Sequence, residues 1–157
     1  MIFCTLAIGA GLAVAQPIST QVNDLPPATD ALPPVASESR FVDLVDRARG
    51  LKAIVDAWIA TDAAANETLH QQNDFTAFKA DTEELSRRNM QAHLLMRERG
   101  TDGDLTCILR GISEDLPKKL DAIEKAQGTD ARKIALEEMA YLLNDNVEVI
   151  MAPPVAS

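Results

Sequence analysis

The sequence predicts an all-α protein, an antiparallel four-helix bundle preceded by a signal peptide and a proline-rich extended arm. Apolar residues recur at the helical period in four successive stretches. Short Gly- and Asp-containing turns close the second and third of them. The composition, 46% hydrophobic but only 4% aromatic across 157 residues, calls for one core filled mainly by aliphatic side chains and alanine.

The opening fifteen residues, MIFCTLAIGAGLAVA, carry no charge and end in Ala13-Val14-Ala15, the small-x-small pattern of a signal-peptidase site before Gln16. They read as a secretory signal peptide, although the usual basic n-region is missing. The apolar run is shorter than the roughly 20 residues a spanning helix needs, so no stable membrane span is expected after cleavage. Cys4 lacks the small residues before it that a lipid-modified cysteine requires. Residues 16–37 contain the proline pairs Pro26-Pro27 and Pro33-Pro34 and no helical stripe, which favours a solvated, extended linker or disordered arm.

The first helical stripe runs through Phe41, Leu44, Ala48, Leu51, Val55, Trp58 and Ile59, with Ser37 or Ser39 as its expected cap. It weakens at Asp62, and the stretch up to Asp74 reads as frayed helix or connector. A second stripe, Phe75, Phe78, Thr82, Leu85, Ala92 and Met96, starts after Asp74 as N-cap and stops at Gly100. Its acids precede its arginines, which suits the helix dipole, and Glu83 with Arg87 and Glu84 with Arg88 form favoured i,i+4 pairs. After the turn Gly100-Thr101-Asp102-Gly103, a third stripe of Leu105, Ile108, Leu109, Ile112, Leu116, Leu120 and Ile123 keeps phase across Gly111 and Pro117. A kink or a split into two short helices is expected there, because proline removes a backbone bond. Gly128-Thr129-Asp130 turns the chain into a fourth stripe of Arg132, Leu136, Met139, Ala140, Leu143, Val147 and Ile150.

The bundle therefore occupies residues 38–151, with a tail at 152–157. Short helix-to-helix connections force neighbours to run in opposite directions. The pentapeptide PPVAS flanks this unit at residues 33–37 and again at 153–157. Both copies read as boundaries, expected to be exposed and poorly ordered.

A formal charge of −9 disfavours nucleic acid as a partner, since affinity for phosphate backbones comes from Lys and Arg. The densest group of soft donors is Met90, His93 and Met96, near Cys107, a set whose chemistry suits copper(I). On a helical wheel Met96 faces the core, His93 the flank and Met90 the far side, and Cys107 points away from its own stripe, so convergence on one ion is not expected. Cys107 is the one cysteine left after signal cleavage. It cannot close an intramolecular disulfide, which makes it the candidate for an intermolecular one.

The hairpin Ile123-Glu124-Lys125-Ala126, then Ala131 through Met139, resembles hairpins in haem-binding periplasmic four-helix cytochromes. The histidine such cytochromes place on the last helix has no counterpart, because residues 129–157 contain no His. With no Cys-x-x-Cys-His, and a single Glu-x-x-His (Glu67 to His70) where a di-iron bundle uses two, neither haem nor a di-iron centre is expected, and no cofactor is assigned. Nucleophile-elbow, zincin and phosphate-loop motifs are also absent, so the chain does not read as an enzyme. Adjacent carboxylates such as Glu83-Glu84 and Glu137-Glu138 diverge by about 100° on a helix and read as solvated. Asn66-Glu67-Thr68 matches the glycosylation sequon.

Ile134 and Tyr141 lie seven apart on the side of the fourth helix opposite its core stripe, the spacing of two anchors for another helix, with Asp145 and Glu148 beyond them. The sequence thus predicts an exported, periplasmic or secreted, non-catalytic module that binds a protein partner or itself. The alternative is a ligand or metal carrier that uses the bundle or the His93 region.

Overall fold

The computed structural model describes residues 34–100 and 103–153. The expected signal peptide, residues 16–33 of the arm, Thr101-Asp102 and the last four residues lie outside them. The described chain forms four helices, α1 (Ser39–Ala60), α2 (Asn73–Arg99), α3 (Gly103–Lys125) and α4 (Thr129–Met151), with no strand among the described residues. Short 3₁₀ turns occupy Pro34–Ser37, Ala63–Ala65 and Leu69–Gln71.

Each helix packs on the next, and α4 closes back on α1, so the four surround one core. The direction of packing follows from individual contacts. Between α2 and α3, Lys79 meets Glu124, Ser86 meets Ser113 and His93 meets Thr106, so one chain ascends as the other descends. Between α1 and α2, Glu38 pairs with Arg99, Asp43 with Arg88 and Trp58 with Phe75. The four-helix bundle of the sequence reading is therefore present and antiparallel at these interfaces.

Heptad-spaced apolar residues supply the interior: Phe41, Leu44, Ala48, Leu51 and Val55 from α1, with Leu105, Leu109, Ile112 and Leu116 from α3, are all buried. Trp58 stacks on Phe75 at 5.8 Å and meets Phe78 edge-on at 4.9 Å, bracing the end of the bundle where α1 hands over to α2. The connector there is ordered by burial of Ala64 and Leu69.

Several local expectations are corrected. The Pro34–Ser37 segment is a 3₁₀ turn with Ala36 only 3% exposed, packed on α1 and α4 rather than left loose. Glu38, not Ser37 or Ser39, occupies the α1 cap position, and Gln72 occupies that of α2, leaving Asp74 inside the first turn. In α4, Val147 is half-buried and Asn146 takes the inner position.

Of the two alternatives at Pro117, the split is overturned: the proline lies inside a single continuous α3 rather than between two short helices. Proline has no N–H for the carbonyl four residues earlier, that of Ser113. The Ser86 hydroxyl of α2 donates to that carbonyl at 2.7 Å. A hydrogen bond from the neighbouring helix thus takes the place of the one proline cannot make, and the helix is not interrupted.

Candidate functional site

An open groove of about 550 Å³ lies between α3 and α4, and Ile134 and Tyr141 both line it. They are the most exposed large apolar residues of the described chain, at 56% and 70%. Two turns of α4 separate them, with half-buried Leu142 at the floor. The sequence-predicted pair is therefore brought onto one surface.

That surface is acidic. Asp115 of α3 and Glu137, Glu138 and Asp145 of α4 line the groove, against one base, Lys119. Lys119 bridges α3 to Glu138 at 2.8 Å, and Asp115 holds Lys118 at 2.7 Å. The Glu137 and Asp145 carboxylates take part in no salt bridge among the described residues. Partial burial, and then the neighbouring Glu148 charge, hold the Asp145 carboxyl above its ordinary range. Glu137 and Glu138 are both exposed, and both border the groove, one engaged by Lys119 and one not.

A second cleft, about 440 Å³, lies at the other sequence-predicted cluster, where the end of α2 meets the start of α3. His93, Met96 and Cys107 line it, and Met90 is not in its wall. His93 is buried rather than flanking, because its ring donates from Nδ1 to the Thr106 carbonyl at 2.7 Å. That bond fixes the ring and leaves Nε2 as the nitrogen open to a ligand when the imidazole is neutral. Cys107 is exposed, as its wheel position predicts. Arg97 and Arg110 share the same wall, and their charges oppose a divalent cation there. Among the described residues no three His, Cys, Asp or Glu side chains are grouped to hold a metal ion.

Two polar arrangements inside the bundle were missed in the sequence. Asn89 of α2 and Asn146 of α4, both fully buried, exchange reciprocal amide hydrogen bonds of 3.0 and 2.9 Å across the core. Asn89 also donates to the Leu85 carbonyl. The visible signal was a gap: the α2 stripe steps from Leu85 to Ala92 and skips the inward position 89. Arg132, placed in the α4 stripe, is buried, is in no salt bridge among the described residues, and donates to the carbonyls of Ala64 and Ala126. It ties the α1–α2 connector to the end of α3, where the helix dipole favours a cation.

No protein-family model, curated protein or solved structure matches this chain. Among the described residues no helix is long and apolar enough to cross a membrane.

Proposed function

We propose that this chain is an exported, non-catalytic protein-binding module that docks its partner on the α3–α4 groove. The observation that carries the reading is the exposure of Ile134 and Tyr141, a heptad apart, over one open groove. Aromatic and aliphatic anchors over a concave floor are what binding hot spots are made of. Ile134 and Tyr141 belong neither to the buried core nor to the half-buried apolar residues packed against it.

The test is a photoreactive amino acid placed at position 134, 141 or 53 of the full chain in the producing cell. Ala53 is exposed on α1 and serves as the control. Discrete cross-linked adducts are expected at 134 and 141 and not at 53. Equal labelling at all three positions, or none at 141, contradicts the reading.

A second reading, carriage of a soft monovalent metal, is supported by His93, Met96 and Cys107 lining one cleft. Titration of the reduced protein with Ag(I) tests it: one ion bound per chain, lost in both Cys107→Ser and Met96→Leu, supports carriage. Binding lost only in Cys107→Ser indicates a bare thiol, and that thiol's other expected use, an intermolecular disulfide, is read from non-reducing electrophoresis.

A further inference from the structure

The occupant of the α3–α4 groove can be specified from its charge and spacing. Ile134 and Tyr141 stand about 10 Å apart along α4, the rise of seven helical residues. A second helix lying in the groove presents its own side chains at that same pitch, which an extended strand does not. The carboxylates beside the anchors, Glu137 and Asp145, are in no salt bridge among the described residues. Burying the groove under an uncharged or acidic partner leaves those charges desolvated without compensation. A second copy of this chain, carrying the same acids on a symmetric face, sets like charges against each other. Anionic lipid and nucleic acid are opposed for the same reason.

We propose that the groove receives a cationic amphipathic helix, with aliphatic residues seven apart seated on Ile134 and Tyr141 and its Lys or Arg side chains paired to Glu137 and Asp145. The inference rests on the groove being the docking surface and adds the chemistry of what docks. Complementary charge sets partner choice and speeds encounter, while the two apolar anchors hold the complex. Asp145 gains most, since an incoming cation offsets the burial and the Glu148 repulsion that now oppose its ionisation.

The probe is a synthetic helix of roughly 20 residues, built of Leu, Ala and Lys with Leu at seven-residue intervals, and a counterpart with Glu in place of Lys. Binding to the full chain is followed by fluorescence anisotropy at low and high salt. The Lys helix is expected to bind, to weaken with salt, and to lose at least about tenfold in affinity against Glu137→Lys/Asp145→Lys. Tyr141→Gln, which removes the anchor and leaves the groove's charge unchanged, is expected to abolish it. Equal binding of the two helices, or no effect of the charge reversal, overturns the cationic partner while adducts at 134 and 141 keep the docking surface. Binding indifferent to Tyr141→Gln overturns the inference, because the helix then sits elsewhere. A concentration-dependent dimer in sedimentation, lost in Tyr141→Gln, makes a second copy the occupant and also overturns it. Absence of adducts at 134 and 141 removes the docking surface itself.

Discussion

Single side chains show where polar groups sustain this bundle. Ser86 and His93, seven apart on α2, donate to the carbonyls of Ser113 and Thr106, seven apart on α3. The first bond answers Pro117 directly. Ser86→Ala is therefore expected to cost about 1–3 kcal/mol, the range for a buried acceptor left unpaired. In a Pro117→Ala background the restored N–H reaches Ser113, and the cost falls well below that; equal costs in urea unfolding of the two backgrounds contradict the assignment. Asp145 gives a prediction of opposite character. Burial raises its carboxyl in the folded state, so the native protein holds the proton to higher pH than the unfolded chain, and stability falls as pH rises through that window. Asp145→Asn is expected to raise the melting temperature at neutral pH, the gain fading below the unfolded carboxyl value of about 4. A gain that persists undiminished in acid points to another cause. At this scale the sequence was only partly legible: exposed Cys107 followed from the wheel, but no periodicity reveals that a serine on one helix serves a proline on another.

The helices themselves were the most legible features, because each is specified by a repeated apolar face rather than by one residue. All four stripes became helices, and Gly100 ends α2 in the left-handed conformation glycine adopts freely. Boundaries were less so. Asp62, a non-glycine residue at φ 53°, sits in the connector after α1, and burial of Ala64 and Leu69 orders a stretch whose polarity suggested fraying. Gly50 and Gly111 lie inside helices, and a Cβ at either meets nothing within 4 Å. Replacing Gly111 with alanine is expected to stabilise the fold by about 0.5–1 kcal/mol through reduced unfolded-state entropy. Denaturant midpoints check this, and a loss of stability indicates that the backbone at 111 must approach something the bundle alone does not contain.

For the whole molecule, topology is set by the short connections and specificity by the buried amides. Asn89 and Asn146 join α2 to α4 across the core, and one register satisfies both. Removing one partner, as in Asn89→Leu, is expected to cost about 1–3 kcal/mol, because the other amide is left buried and unmet. The double Asn89→Leu/Asn146→Leu variant is expected to recover stability by swapping a buried polar pair for packing, with a core less restricted to one arrangement. Urea unfolding measures the first effect and side-chain NMR dispersion the second; a double variant no more stable than the single one contradicts the account.

The bundle was readable because a core repeats, and the α3–α4 groove proposed for docking was half readable because two exposed apolar residues also repeat. Its acidic rim was legible only in part, since Glu137, Glu138 and Asp145 can be read along α4 whereas Asp115 comes from α3 and joins them only after folding. In the proposed reading, stability and recognition are carried by opposite faces of α4. The double variant Ile134→Gln/Tyr141→Gln, which removes both anchors without adding charge to the acidic face, separates them most directly. Exposed substitutions stay within about 0.5 kcal/mol, so its thermal unfolding should match the parent while the cross-links at the groove and binding of the Lys-rich helix disappear. A variant that melts well below the parent, or that folds normally and still captures the partner, contradicts the central claim.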